Sequence, residues 1–229
     1  MPSTSESTTA ADPRLAVRPI VRRYHRLERV ANWLLALSVA GIAILAILSL
    51  PFLVGVAAAL GVFLLVRLPI ARRRGTTRLE TETDSDGVRA AFEGPLSPPL
   101  VLQWGFLDAN DVTVADGVVR YEVAYLFGLR SVTMRVETAE PSAPVSGSTD
   151  STDVDELDLL VTIGDTRWAT YTVTIGTAGD RTVVDIAWRT ERRVDVRYVI
   201  QGFIGRRYYP AALDALGYRM VTRVGSWKW

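Results

Sequence analysis

Residues 30–66 form a run of 37 positions without one charged side chain, bounded by Arg29 and Arg67. A single helix of that length would extend roughly 55 Å, against a hydrocarbon core of about 30 Å. Pro51, between Leu50 and Phe52, falls where a break is needed, because proline lacks an N–H and clashes with the preceding helical turn. The pattern predicts a two-helix transmembrane hairpin within 30–70, with arms at 32–50 and 52–70. The second arm is the weaker one, and Arg67 must snorkel toward the interface. A signal peptide fits poorly, since a long basic segment precedes the run and a second apolar arm succeeds the first. A buried core hairpin of a soluble protein rarely goes so long without a polar position.

The arginines give the orientation. Arg14, Arg18, Arg22, Arg23, Arg26 and Arg29 precede the run, Arg67, Arg72, Arg73, Arg74 and Arg78 come after it, and the turn between the arms is neutral. Positive residues stay on the cytoplasmic side. Both termini are therefore expected in the cytoplasm and the protein in the cell membrane, crossing twice. Residues 1–79 carry 11 arginines against Glu6, Asp12 and Glu28, a balance of +8, whereas residues 80–224 carry a balance of −8. A basic anchor suits anionic lipid and an acidic soluble part does not suit nucleic acid, so the lipid bilayer is an expected partner and nucleic acid is not. One lysine against 25 arginines, with an acidic soluble part, resembles the composition of salt-loving archaeal proteins.

Along the chain, residues 1–12 are Ser/Thr-rich and read as a disordered tail. Val17, Ile20, Val21, Tyr24 and Leu27 then recur at helical spacing, with Arg18, Arg22 and Arg26 on another face. This predicts a basic amphipathic helix within 1–29 that leads into the first arm, either lying on acidic head groups or serving as an ordinary positive flank. Arg72, Arg73 and Arg74 belong to a short linker at 71–75 and, with Arg18, Arg22 and Arg26, are expected at the membrane surface. The remainder, 76–224, is one domain with its own core.

That domain opens with a strand at 76–84 and a short helix at 86–93, and a Pro-rich bend comes next. Alternating segments around Val119–Tyr125, Val132–Val136, Leu157–Ile163, Ala169–Ile175 and Val184–Trp188 each show one apolar and one polar face, the pattern of an antiparallel sheet covered on one side. Turns are expected at Asp116-Gly117 and Gly179-Asp180. The cover comes from Val199, Phe203, Leu213, Leu216 and Met220 at helical spacing, with Pro210 kinking or splitting the helix. Gly225 is expected to end it, leaving a tail at 225–229 whose Trp227, Lys228 and Trp229 would touch the bilayer.

The segments TRLETETDSDGVRAAFEGP and TVVDIAWRTERRVDVRYVIQGFIGRRYYPAALDALGYRM resemble the opening and closing parts of the START-like superfamily, also called the SRPBCC or Bet v 1-like helix-grip fold. The resemblance covers about residues 76–222 and rests on a pattern of elements, since this superfamily has no shared catalytic motif. It implies an α+β fold, a curved antiparallel sheet around a long C-terminal helix, behind the transmembrane hairpin. It also implies an apolar cavity for a lipid or other hydrophobic ligand. A bacterial PH-like domain is the competing match, but it normally lacks a helix after its first strand.

Chemistry is sparse. There is no cysteine and a single histidine, His25, so neither a His-based triad nor a Cys/His metal site can be built. Asp150, Asp153, Asp155, Glu156 and Asp158 read as a solvated loop, because the glycine of a calcium loop is missing. No cofactor, metal or catalytic residue is expected. Inward aromatic and apolar positions give Trp104, Tyr121, Tyr125, Met134, Tyr171, Trp188 and Phe203 as pocket candidates, although plain core packing would use the same residues. The expectation is a non-catalytic, membrane-anchored domain that binds a hydrophobic ligand or lipid. The alternative is an adaptor recruiting a protein partner, and a cyclase-like enzyme comes third.

Overall fold

The alternating segments all become strands, and they join one antiparallel sheet. A computed structural model describes residues 13–69, 71–103, 111–115, 117–125, 130–139 and 155–228. Its elements are α1 (Pro13–Ser49), α2 (Phe52–Arg67), β1 (Arg72–Thr81), α3 (Ser85–Glu93), β2 (Asp111–Ala115), β3 (Val118–Tyr125), β4 (Arg130–Ala139), β5 (Asp155–Ile163), β6 (Thr166–Ala178), β7 (Arg181–Thr190), α4 (Val196–Asp214) and β8 (Arg219–Lys228). The sheet order is β2-β3-β4-β5-β6-β7-β1-β8. The protein is thus α+β, with a long N-terminal helix and an eight-stranded antiparallel sheet. The tail expected at 1–12 lies outside the described residues, as does all but Ala139 of the Ser/Pro/Thr/Asp-rich segment 139–153, whose composition reads as a flexible inter-strand loop.

Turn chemistry fixes the register. Gly117, Gly164 and Gly179 sit at positive φ between β2 and β3, β5 and β6, and β6 and β7, where a side chain would be strained. Asp84 caps α3 by accepting from the Gly87 amide at 2.9 Å, and Asp195 caps α4 by accepting from the Arg197 amide at 3.0 Å.

Four local expectations need correction. The segment Arg72–Gly75 is not a linker: β1 starts at Arg72, and its alternation places Arg73, Gly75, Thr77 and Leu79 on one face. The closing helix does not reach Met220. It stops at Asp214, the Tyr218 amide donates to the Leu213 carbonyl at 3.0 Å, and Gly217 turns the chain at φ +84°. Beyond that turn the chain is strand, so Gly225 does not end a helix; it pairs with Gly75, and Trp227 pairs with Arg73. The expected free tail is therefore an integral strand as far as Lys228, while Trp229 lies outside the described residues. Pro210 lies inside α4 without splitting it.

The fourth correction concerns α1. Its apolar stripe turns inward except at Leu27, which is exposed. Val17 and Val21 are completely buried in the same core as Leu79, Phe92, Val136 and Leu213, and Tyr24 is buried against Tyr208 of α4. Arg18, Arg22 and Arg26 occupy the exposed faces of the helix. The inner face of the sheet is therefore covered by α4, α3 and the first turns of α1 together. The helix then continues without a break into the uncharged stretch, where Trp33, Leu37, Leu45 and Leu48 are exposed. One helix, Arg14–Ser49, is long and apolar enough to cross a membrane; Phe52–Arg67 is a shorter apolar helix. α2 packs beside α1; at Gly55 a Cβ would sit 2.7 Å from the Ala46 carbonyl oxygen.

Candidate ligand pocket

Between α4, the Tyr24–Glu28 turn of α1 and the inner face of β1, β6, β7 and β8 lies a cavity of about 190 Å³. Two glycines on neighbouring strands make room for one of its rings. Gly75 of β1 is paired with both Trp188 and Gly225. A Cβ on Gly75 would collide with the Val224 carbonyl oxygen and stand 2.6 Å from Trp188 Cζ2, whereas one on Gly225 would stand 3.5 Å from the same atom. The indole of Trp188 thus lies across a side-chain-free slot in β1 and β8.

Cations flank that indole on both sides. The Arg73 guanidinium carbon is 5.5 Å from the Trp188 ring and 4.7 Å from the Trp227 ring. Arg223 is 5.7 Å from Trp188 and 3.9 Å from the Tyr209 ring. These separations lie within cation–π range, and the result is an alternating ladder of rings and guanidinium groups. Arg206 of α4 lines the same cavity. Burial, followed by the nearby Arg223 and Arg206, pushes the Arg73 pKa below its ordinary value.

The neutral walls are aromatic and hydrogen-bonded. Gln103 Nε2 donates to the Tyr171 hydroxyl at 3.1 Å. Burial raises the pKa of Tyr171 and of Tyr209, so both remain phenols. Trp168 packs against Tyr198 with ring centres 5.0 Å apart. The one carboxylate lining the cavity among the described residues, Glu28, is engaged on its own side, with Gln201 donating to it and His25 Nδ1 at 3.4 Å. The indole Nε1 of Trp188 is buried without a hydrogen-bond acceptor. Such a chamber has cationic and donor groups along one wall and apolar rings on the others. It can bind and orient; among the described residues no nucleophile–base pair stands in it.

Of the pocket candidates read from the sequence, Tyr171 and Trp188 line this cavity. Tyr121 and Met134 are buried elsewhere in the core, Tyr121 donating its hydroxyl to the Pro95 carbonyl at 3.1 Å. Phe203 points outward and is 79% exposed. Trp104 and the Tyr125 side chain lie outside what is described. Among the expected membrane-surface arginines, Arg72 and Arg74 are on the outer face of β1, but Arg73 turns into the cavity. Sequence reasoning did not place Arg73, Arg223, Tyr24 or Tyr209 in a pocket, and it read the Arg206-Arg207 pair as either a contact for lipid or a partner or plain surface charge; alternation carried back through Arg72–Gly75 was the available signal for Arg73. In the acidic segment, Asp155 pairs with Arg89, and Asp158 accepts from the Thr172 hydroxyl at 2.7 Å. Asp150 and Asp153 lie outside the described residues.

The sequence matches no protein-family model and no curated protein. Among solved structures it is similar to the Mll3558 protein from Rhizobium loti (15% identity, 64% of this chain and 95% of that one, TM-score 0.36). An uncharacterised protein from Rhizobium leguminosarum is 16% identical over 63% of this chain and 98% of that one, with a TM-score of 0.33. A conserved protein from Geobacillus kaustophilus is 11% identical over 64% and 92%, with a TM-score of 0.39. At these scores the likenesses assign neither a fold family nor a function.

Proposed function

We propose that the protein is a non-catalytic, membrane-anchored domain of the START-like kind that holds an amphiphile at the cytoplasmic face of the bilayer. The observation that carries this reading is the continuity of α1. Tyr24 and Glu28 line the cavity, and the same helix becomes apolar on all sides a turn later. From Glu28 to Asn32 the rise is about 6 Å, close to the depth of a head-group layer. α1 and α2 then form the transmembrane hairpin, and the arginines on both flanks put the domain and both termini in the cytoplasm. The helix-grip assignment is supported by α3 directly after β1, a feature that the PH-like alternative normally lacks, and by β1 lying next to β7. Strand β8 and the insertion of α1 into the core depart from the expected pattern.

Native mass spectrometry of the full chain, released from maltoside micelles, tests the reading. A lipid-sized adduct retained at one per chain is expected. A bare protein at every collision energy that keeps it folded would refute it.

A further inference from the structure

Four arginines line the cavity, and three of them, Arg73, Arg206 and Arg223, have no carboxylate partner, whereas Arg189 pairs with Glu191. Among the described residues, the cavity's one carboxylate, Glu28, is taken by Gln201 and His25, and none of Arg73, Arg206 and Arg223 forms an ion pair. Their gathering is built into the backbone. Gly202 of α4 lies where a Cβ would collide with the Arg73 guanidinium, so the glycine lets that group fit beneath the helix. The registers Arg73↔Trp227 and Thr77↔Arg223 set Arg73 and Arg223 on either side of the Gly75↔Gly225 pair. Like charges assembled this way, with burial disfavouring the Arg73 charge, leave a deficit that an anion would fill.

Size and donor count narrow the anion. About 190 Å³ is below the roughly 300–1,000 Å³ of pockets that enclose drug-sized ligands, so a two-chain lipid cannot be enclosed. Three guanidinium forks offer more donors than two carboxylate oxygens can accept, whereas a phosphate presents more oxygens.

We propose that Arg73, Arg206 and Arg223 form a binding site for the phosphate of an anionic head group, whose acyl chains remain in the bilayer. The assignment rests on the amphiphile reading above and adds the chemistry that the site selects. The site discriminates by net charge: a phosphate carrying its own quaternary ammonium brings a cation toward three others and is bound less well.

The test uses the full chain in dodecylmaltoside micelles, which are neutral and free of phosphate. Thermal unfolding is followed by tryptophan fluorescence while phosphatidylglycerol, phosphatidylcholine or inorganic phosphate is titrated in. Phosphatidylglycerol is expected to raise the Tm in proportion to its occupancy. Arg206→Gln and Arg223→Gln should each raise its apparent Kd about tenfold or more, while Arg74→Gln, on the outer face of β1, should leave it unchanged. Arg206 is exposed, so its variant keeps the fold, which its Tm without lipid verifies. The same shift and the same variant pattern with inorganic phosphate alone would support the site and identify a free phosphate as its source. Equal stabilisation by both lipids, indifferent to the arginine variants, would overturn the phosphate site and leave the amphiphile reading standing. Stabilisation by none of the three would overturn the phosphate site, and lipid adducts in the native mass spectra would then decide the amphiphile reading separately.

Discussion

Replacing Val17 and Val21 together by alanine tests whether the N-terminal turns of α1 belong to the core of the sheet domain. Both side chains are fully buried, at 0% and 1% exposure. Each substitution removes two methyl groups, worth about 1.6 kcal/mol at roughly 0.8 kcal/mol per buried carbon, and a residual cavity brings the loss to about 2 kcal/mol. The two residues are one turn apart, so the pair loses somewhat less than about 4 kcal/mol. For a folded unit of this size each kcal/mol moves the Tm by about 2–4 °C, giving a drop of roughly 8–14 °C. The assay is tryptophan-monitored unfolding of the full chain in maltoside micelles, with Arg18→Ala/Arg22→Ala as the control. The control removes more atoms, but from exposed positions, and should move the Tm by about 2 °C or less. Equal shifts for the two double variants would refute the packing of α1 into the core. The same reasoning predicts that a fragment starting at residue 76 loses Val17, Val21 and Tyr24 from its interior and unfolds more readily than the full chain.

Gly75→Ala forces a Cβ against the Val224 carbonyl and to within 2.6 Å of Trp188, whereas Gly225→Ala meets the same ring at an ordinary 3.5 Å; the first should cost about 1–3 kcal/mol and the second less than about 0.5, and comparable Tm values would contradict the slot beneath Trp188. Burial pushes the Tyr218 phenol up to about 12 and raises Tyr171 and Tyr209 as well. A folded-state pKa above the unfolded value of about 10 favours the fold while the phenols are neutral. That contribution is therefore complete below pH 10 and is lost as the pH rises through 12. Phenolate absorbance near 295 nm should show a late-titrating group of tyrosines that ionise together with unfolding, and eight tyrosines titrating near 10 in a folded protein would contradict it. Because the chain has no cysteine, single cysteines at Ser5, Ser49 and Ser226 report topology: an impermeant thiol reagent on intact cells should label only Ser49→Cys, and labelling at position 226 without position 5 would mean an odd number of crossings.

The strands were legible because each keeps one parity. Val119 and Tyr121, Leu157 to Val161, and Val184 and Ile186 alternate with polar neighbours, and their turns carry glycines that tolerate positive φ. The breaks in that reading come where local composition and tertiary role diverge. Arg72–Gly75 looks like a basic linker because three adjacent arginines and a glycine have weak strand propensity, and only pairing with β7 and β8 makes it strand. Leu216 and Met220 extend the helical spacing of α4 by accident, and Gly217 between them was the signal for the stop. The apolar stripe at Val17, Val21 and Tyr24 was visible as a stripe. Its partner was not, because periodicity says that a face is buried but not whether protein or lipid buries it. The pocket was least legible. Its aromatic half comes from strand parity at Tyr171 and Trp188, whereas its cationic half is assembled from β1, β8 and α4, a juxtaposition of residues about 150 positions apart that only the sheet order creates.

The way the two apolar helices join the domain bears on what such a cavity can do. α1 enters as an unbroken helix whose rotation is fixed from inside, since Val17 and Val21 cannot turn outward without exposing the core. α2 joins through only four residues between Arg67 and Arg72. Among them Ala71 is fully buried and exchanges backbone hydrogen bonds with Val194, the Val194 amide donating at 2.8 Å. The α1 connection is no flexible tether, whose reach would grow with the square root of its length. On the membrane-anchored reading the domain therefore cannot swing away from the bilayer to carry a ligand elsewhere, and its cavity wall, with Arg73 six residues beyond the end of α2, stays close to the head groups. A pocket too small to enclose a lipid is a poor carrier but needs no carrier's freedom. Fixed attachment and small volume both suit a site that reads the head group of a lipid in place. Lengthening the 68–71 connection with a glycine–serine insert should accordingly weaken phosphatidylglycerol binding in vesicles while leaving the fold intact, because the local concentration of head groups at Arg73 falls once the wall can drift. Unchanged binding after such an insertion, with an unchanged Tm, would show that attachment geometry plays no part in recognition.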